Sequence, residues 1–383
     1  MSARRPTRKH APIPVLRPEL PRASRILPYL RRLDAARVYS NWGPLVLELS
    51  ARLASMFGAP PTSVVCANSG TSALMGAILA AAGRARPARP LAILPDYTFT
   101  ATGLAAQLAG YQPLLVTARR DIWTFSPAEL LARPGLLDRV GLVVPVAPYG
   151  RPLAQAPWSR FQQTTGIPVV IDGAASFESF LLSPPALLGR VPVALSFHAT
   201  KAFATGEGGA VVTTDAKLAD RVFQSLNNGF NGSRSSEFTG FNGKMSEYAA
   251  AVGLAELDGW PGKQKRMARV FGAYRNAFAA HGITQPLWGV PELSSSYALL
   301  ECRSTREAAA ATASLARSGI DTRLWYGRGL SDQPAYRGAR RVVLHRRKDA
   351  LNAATLLGMP IAPDLEHGAI ERIARAVVEG LAP

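Results

Sequence analysis

Val193-Ala-Leu-Ser-Phe-His-Ala-Thr-Lys-Ala-Phe-Ala-Thr-Gly-Glu-Gly-Gly-Ala-Val-Val-Thr-Thr-Asp215 is the stretch on which the reading of this 383-residue chain turns. An apolar run from Val191 to Phe197 ends in small and polar residues. A lone lysine, Lys201, follows, then Gly206-Glu-Gly-Gly209 and a second β-rich run, Ala210 to Thr214. β-Branched residues suit a pleated surface and glycine permits positive φ, so the pattern predicts two short strands joined by a loop that carries the lysine. Phe197, Ala199, Ala202 and Phe203 flank Lys201, and Glu207 is the nearby charge. Desolvation lowers an ammonium pKa, and a neutral amine attacks an aldehyde. A lysine that only snorkels out of the loop into water fits the stretch equally well.

Outward from this stretch, the same rhythm repeats. Ser63-Val-Val-Cys-Ala67 reads as a buried strand that runs into Asn68-Ser-Gly-Thr-Ser-Ala-Leu74 and an alanine-rich helix ending at Gly83. A strand, a turn of small residues and a helix start offer bare backbone N–H groups and a positive dipole end to a phosphate. An ordinary N-cap explains the same residues. Leu91 to Leu94, Pro113 to Val116, Val140 to Val146 and Pro168 to Asp172 are further apolar runs, the last ending in an acid. Apolar strands alternating with helices predict an α/β fold with a doubly wound, mostly parallel sheet. In such sheets a ligand sits beyond the carboxyl ends of the strands, where Thr71, Phe99, Asp172 and Lys201 all fall.

At the flanks the signals change. Residues 1–30 carry Pro6, Pro12, Pro14, Pro18, Pro21 and Pro28 and are expected to be irregular. A helix is expected from Pro44 to Phe57, stopping at Gly58. After Asp215 come a helix over Lys217 to Leu226, a polar glycine-rich run from Asn227, and a helix of small residues from about Ser246 to Leu257. Pro261-Gly262 reads as a domain boundary, giving a large domain over 1–262 and a smaller α+β domain over 263–383. The latter is expected to hold helices at Arg266 to His281, Thr305 to Ser318 and Glu366 to Leu381, and a strand at Ser296 to Cys302.

Composition narrows the function classes. The 48% apolar and 18% charged fractions are those of a soluble globular protein, and no run of 18 apolar residues exists to cross a membrane. The basic N-terminus is not followed by an apolar signal-peptide core, which predicts a cytoplasmic location. Cys66 and Cys302, with neither metal spacing nor a disulfide framework, agree with a reducing compartment. The 44 basic and 26 acidic residues leave a net +18, but only seven of the 44 are lysines and the arginines are scattered. That argues against a nucleic-acid stripe. The N-terminal cluster of Arg4, Arg5, Arg8, Lys9, Arg17, Arg22 and Arg25 reads as a solvated or dimer-wrapping arm.

Taken together the motifs resemble the fold-type-I pyridoxal-phosphate enzymes, and within them the nucleotide-sugar aminotransferases of the DegT/StrS group. Gly43-Pro44, Ser69-Gly-Thr-Ser-Ala-Leu74, Pro95-Asp-Tyr-Thr-Phe-Thr-Ala-Thr102 and Asp172-Gly-Ala-Ala carry the resemblance. So do Ser196-Phe-His-Ala-Thr-Lys201 with Gly206-Glu-Gly-Gly209, and Gly240-Phe-Asn-Gly-Lys-Met-Ser246, with a weaker echo at Met359-Pro360. The match covers residues 40 to 260 well and the last third loosely.

The resemblance implies that Lys201 holds pyridoxal 5'-phosphate as an internal aldimine and shuttles a proton. It implies that Asp172 pairs with the pyridinium nitrogen and that Phe99 stacks on the ring. Gly70, Thr71, Ser72 and Ser196 would hold the phosphate, and Asn242 would reach it from a partner subunit, making a homodimer the smallest active unit. Each has an ordinary structural reading beside it: an Asx turn for Asp172, core for Phe99, a left-handed turn for Asn242. His198 reads as structural. Two departures stand out. Family members commonly carry Gln or His four residues after the Asp, close to the cofactor; in this chain Ser176 stands there and is the expected cofactor contact at that position. They often carry His at the position of Ala147. The implied activity moves an amino group from glutamate or glutamine to a keto-sugar on a nucleotide. A deoxysugar dehydratase of the same cofactor is the alternative, although relatives with that chemistry replace the lysine by histidine. A non-catalytic, regulatory member is the other alternative.

Overall fold

Eleven strands organise the computed structural model, which describes residues 11–382. They are β1 (Val64–Ala67), β2 (Leu91–Pro95), β3 (Gln112–Val116), β4 (Val140–Val143), β5 (Ile171–Asp172), β6 (Val193–Ser196), β7 (Gly209–Val212), β8 (Leu287–Trp288), β9 (Leu299–Glu301), β10 (Arg340–Val342) and β11 (Leu356–Gly358). Hydrogen-bonded neighbours run β1-β7-β6-β5 and β10-β3-β2-β4. Parallel bridges from Val143 to Val169 and from Val146 to Asp172 join the two halves into one surface. Only β7 opposes its neighbours β1 and β6. The other pairings in the surface are parallel, as continuous apolar runs buried on both faces require.

Helices cover both faces. The helix Gly70–Ala82, rich in Ala, Leu and Gly, lies on β6 and β7 and has helix Ala216–Leu226 beside it. Small side chains allow this close approach: a Cβ on Gly76 would meet Leu226 Cδ2 at 2.9 Å. On the opposite face helix Pro44–Met56 buries Leu45, Leu49 and Leu53 against Phe57, Phe177 and Phe197 of the main core. Its first N–H groups, on Leu45 and Val46, donate to the buried Glu247 carboxylate at 2.7 and 3.0 Å. A negative group belongs at a helix N-terminus, and Gly43 is required there: a Cβ would meet Glu247 Cδ at 2.7 Å.

Several expectations change. Helix Ala23–Ala36 occupies part of the proline-rich start, with Pro28 inside it. Arg17, Arg22 and Arg25 are within the described residues, whereas Arg4, Arg5, Arg8 and Lys9 lie outside them. The two helices expected on either side of Pro261 are one 34-residue helix, Glu247–Ala280. Proline removes only one helix donor, and packing on both sides of it outweighs that loss. Leu257 and Trp260 enter the main core, whereas Met267 to Phe278 enter a separate core with Leu300, Ile320, Ile373 and Val377.

The expected division at Pro261-Gly262 is crossed in both directions. Strand β10, from the later part, pairs in parallel with β3. Ile13, from the start, bridges to Ile320 and joins the later core. That later part holds a three-stranded sheet, β11-β9-β8, under helices Thr305–Arg317 and His367–Leu381. Among the described residues no helix is long and apolar enough to cross a membrane.

Candidate active site

At the carboxyl ends of the large sheet, loops converge on a cavity of about 400 Å³. Lys201 reaches it from the β6–β7 loop, which folds back so that Lys201 N–H donates to His198 O at 2.8 Å. Phe197 and Phe203, both buried, meet edge to face at 4.9 Å and fix the two ends of the loop. Asp172 ends β5 and is 7% exposed. Thr102 donates its hydroxyl to Asp172 Oδ2 at 2.6 Å, and Ala174 N–H donates to Oδ1 at 3.1 Å. Burial raises the Asp172 pKa, while these two donors and the Lys201 charge oppose the rise.

The start of helix Gly70–Ala82 forms the side of the cavity next to Ser196. Ser69 caps the helix by accepting from Ser72 N–H at 3.1 Å. The N–H groups of Gly70 and Thr71, like all first-turn donors, have no partner inside the helix. A Cβ on Gly70 would meet Ser196 Cβ at 2.6 Å, so glycine alone lets the helix end come this close to β6. These N–H groups, with Thr71 and Ser196 hydroxyls, suit a phosphate; Lys201 suits an aldehyde; the buried Asp172 carboxylate suits a protonated ring nitrogen. The donor set therefore fits a phosphorylated pyridine aldehyde. Phe99, 58% exposed, also lines the cavity. Among the described residues no trio of His, Cys, Asp or Glu is placed to hold a metal ion.

Three expected residues do not line this cavity. Ser72 is engaged with Ser69, whose hydroxyl lies 3.0 Å from its own. Ser176 is buried, its hydroxyl without a hydrogen-bond partner. The wall beyond Asp172 consists of Ala174 and Ala175 instead, because Asp172 accepts from Ala174 N–H and Ser176 N–H is drawn to Gly173 O at 2.8 Å. Asn242 is exposed, and its carbonyl accepts from Asn68 Nδ2 at 3.4 Å. Ala147 does line the cavity. His198 is exposed and bonds Thr200 Oγ1 through Nδ1 at 2.8 Å.

The later part of the chain supplies residues that the sequence reading missed: Tyr297, Arg323, Trp325 and Tyr326. Lys201 Nζ donates to Tyr297 Oη at 3.1 Å. Tyr149, held at φ 56°, stacks on Tyr326 at 4.8 Å and shares a 2.5 Å hydroxyl contact with Tyr97. Burial holds the Tyr97, Tyr149 and Tyr326 phenols above their ordinary pKa, so they are neutral donors at physiological pH. The Arg323 guanidinium lies 5.3 Å from the Trp325 ring centre. Asp96 ties the Trp325–Tyr326 loop down. Its Oδ1 accepts from Ser331 N–H at 2.8 Å, its Oδ2 from Ser331 Oγ at 2.9 Å, and Arg341 Nε lies 2.8 Å from Oδ2. The Trp325-Tyr326-Gly327 run was the available signal, an aromatic pair closed by glycine with no apolar period to bury it.

Comparison with known proteins agrees with this geometry. Residues 22–378 match the model of the DegT/DnrJ/EryC1/StrS aminotransferase family. Protein Rv3402c of Mycobacterium tuberculosis (strain ATCC 25618 / H37Rv) is 32% identical over 321 residues, 82% of this chain and 76% of its own. The dTDP-3-amino-3,4,6-trideoxy-alpha-D-glucose transaminase of Streptomyces venezuelae is 30% identical over 292 residues, 75% of each chain. Among solved structures, that of DesI in the presence of its TDP-sugar product superimposes with a TM-score of 0.83 at 29% identity. It covers 96% of this chain and 93% of that one.

Proposed function

The chain belongs to the DegT/DnrJ/EryC1/StrS aminotransferase family, and on that premise we propose that it transfers an amino group to a keto-sugar carried on a nucleotide. The cofactor is pyridoxal 5'-phosphate. One observation carries the reading: an amine, a buried carboxylate and an open helix N-terminus line a single cavity in a chain whose relatives are named dTDP-sugar transaminases. Glutamate or glutamine is the proposed amino donor. Incubating the protein with glutamate and a panel of keto-sugar nucleotides should yield a product whose mass reports replacement of the keto oxygen by an amino group and a hydrogen. No such product from any member of the panel would sink the substrate class.

When bound, the cofactor supplies an electron sink for the bond broken at the substrate's amine-bearing carbon. Everything else falls to the chain. Gly70 and Thr71 N–H groups with Thr71 and Ser196 hydroxyls would anchor the phosphate at the helix start. The Asp172 carboxylate would hold a proton on the ring nitrogen, and its own bonds to Thr102 and Ala174 fix its orientation. Lys201, released from the cofactor during turnover, would carry the proton between the cofactor's benzylic carbon and the substrate carbon. Phe99 would cover the ring at the mouth of the cavity, excluding water. Ser72 contributes through the cap, by orienting the first turn with Ser69.

The proposed working unit is a homodimer, with Asn242 presented to the partner's phosphate site. Asn242 is exposed on its own chain, in a loop whose neighbours Gly240 and Gly243 are packed against backbone and Leu226. Mixing Lys201→Ala with Asn242→Ala subunits should restore part of the activity, since one site in each heterodimer escapes both lesions. No recovery, or full activity in a sedimenting monomer, would overturn the shared site. The cytoplasm is the proposed location, because Cys66 and Cys302 are both unpaired thiols, as a reducing compartment favours.

A further inference from the structure

We propose that Tyr297 is a catalytic residue: its hydroxyl receives the Lys201 amine whenever that amine is not bonded to the cofactor, and keeps it beside the reacting carbon. The inference rests on the amino-transfer reading above, since only a lysine that is repeatedly freed needs a place to wait. A free lysine side chain has four rotatable bonds and would otherwise wander or pair with the nearest acid. Here Nζ donates to Tyr297 Oη at 3.1 Å and lies 5.8 Å from the centre of the Tyr297 ring. The charged groups around it are Asp172 on β5, His198 and Glu207 on its own loop, and Arg323 from the opposite side, with Tyr326 beside Tyr297. His198 and Glu207 face each other at 3.7 Å.

The hydroxyl is held in place by construction. Tyr297 is 6% exposed, and its ring meets Tyr149 and Trp325 edge to face at 5.0 and 5.3 Å. Its backbone N–H closes a turn on Ser294 O at 3.0 Å, and Ser294 N–H donates to Tyr149 O at 2.9 Å. The buried Glu178 carboxylate accepts from Ser294 Oγ at 2.9 Å and from Ser295 N–H at 2.6 Å, which locks the turn to the helix following Asp172. Glu178 is therefore a positioning residue for Tyr297. The same helix, Phe177–Leu182, follows the turn after Asp172 at the end of β5, so hydroxyl and carboxylate share one support.

Tyr297→Phe keeps the ring and removes only the oxygen. The hydroxyl accepts from the amine and holds it in one place, so its loss frees the amine to leave the position beside the reacting carbon. In the full-length chain stripped of cofactor, uptake of pyridoxal 5'-phosphate followed by absorbance should become about tenfold slower, because the attacking amine is no longer oriented. The uptake profile, absorbance against time, should lengthen accordingly. In the reconstituted enzyme kcat should fall about tenfold while both KM values stay within about twofold. Glu178→Gln, which displaces the turn without touching Tyr297, should shift the uptake profile in the same direction by less. An unchanged uptake profile in Tyr297→Phe overturns the proposal, as does a change confined to KM, which would make Tyr297 a substrate contact. Uptake needs no sugar, so a shifted profile alongside failure of every keto-sugar nucleotide would reject the substrate class and leave the Tyr297 role standing.

Discussion

The cavity has two unlike walls. On the sheet side stand Gly70, Thr71, Asp172, Ser196 and Lys201, delivered by strand ends, a helix start and the short loop between β6 and β7. On the other side stand Tyr297, Arg323, Trp325 and Tyr326, bulky groups delivered by loops of the later part. Backbone geometry fixes the first wall: moving Lys201 or Asp172 means moving β6 or β5 in the middle of the sheet. The second wall is set by side-chain bonds such as Asp96 to Ser331 and Glu178 to Ser294. Most of the chemistry sits on the wall anchored to the sheet, Tyr297 is the group that the other wall adds to it, and recognition that varies with substrate sits on loops.

The comparison can be broken most severely at Lys201. Lys201→Ala should fold yet lose essentially all turnover. Borohydride reduction of the native enzyme and peptide mapping should mark Lys201; label on another lysine would end the assignment. Next is Asp172→Asn, where an amide cannot supply the charge that keeps the ring nitrogen protonated. A loss on the order of 100-fold, about 2.7 kcal/mol of barrier, is expected in kcat. Wild-type turnover with cofactor fully bound would contradict it.

A smaller effect of definite sign is expected from Thr102→Val. Burial already raises the Asp172 pKa and the Thr102 hydroxyl opposes that rise by bonding the anion. Removing it raises the pKa further, so the acid limb of the pH–rate profile should move to higher pH while the plateau rate above it is kept. A limb that stays put would show that Asp172 does not control it. The smallest effect tests the other wall. Asp96→Asn weakens the hold on Ser331 and Arg341, so the Trp325–Tyr326 loop loosens. Losing about 1 kcal/mol of placement should raise KM for the sugar substrate roughly fivefold with kcat nearly unchanged. A fall in kcat at constant KM would erase the distinction between the walls.

How much of this was readable in the sequence follows the same division. Strands β1 to β7 and the positions of Thr71, Phe99, Asp172 and Lys201 beyond them are written in apolar runs ended by small residues, a local signal. Ser176, which the resemblance puts near the cofactor, is not in the cavity lining, because the turn after Asp172 is set by hydrogen bonds among Gly173, Ala174 and Ser176 that the motif does not reveal. Helix Glu247–Ala280 was divided at Pro261, where tertiary packing overrides a local breaker. Tyr297 falls in the run Ser296 to Cys302, expected as a strand, but β9 starts only at Leu299, and nothing local marks the Tyr297 hydroxyl as part of the site. Its place depends on a contact more than a hundred residues away, with Tyr149.

The pairing of β10 with β3 also has a consequence for biosynthesis. Until residues 340–342 leave the ribosome, β3 presents an open parallel edge to every other nascent chain nearby. Such an edge is a template for wrong pairing, and slow completion of a sheet prolongs the hazard. The segment that closes it follows directly on the Trp325–Tyr326 loop, and Arg341 of β10 lies against Asp96 in that loop's clamp. Sealing the sheet and finishing the substrate wall are therefore one late event in the life of the chain. A truncated product would be at once open-edged and inactive.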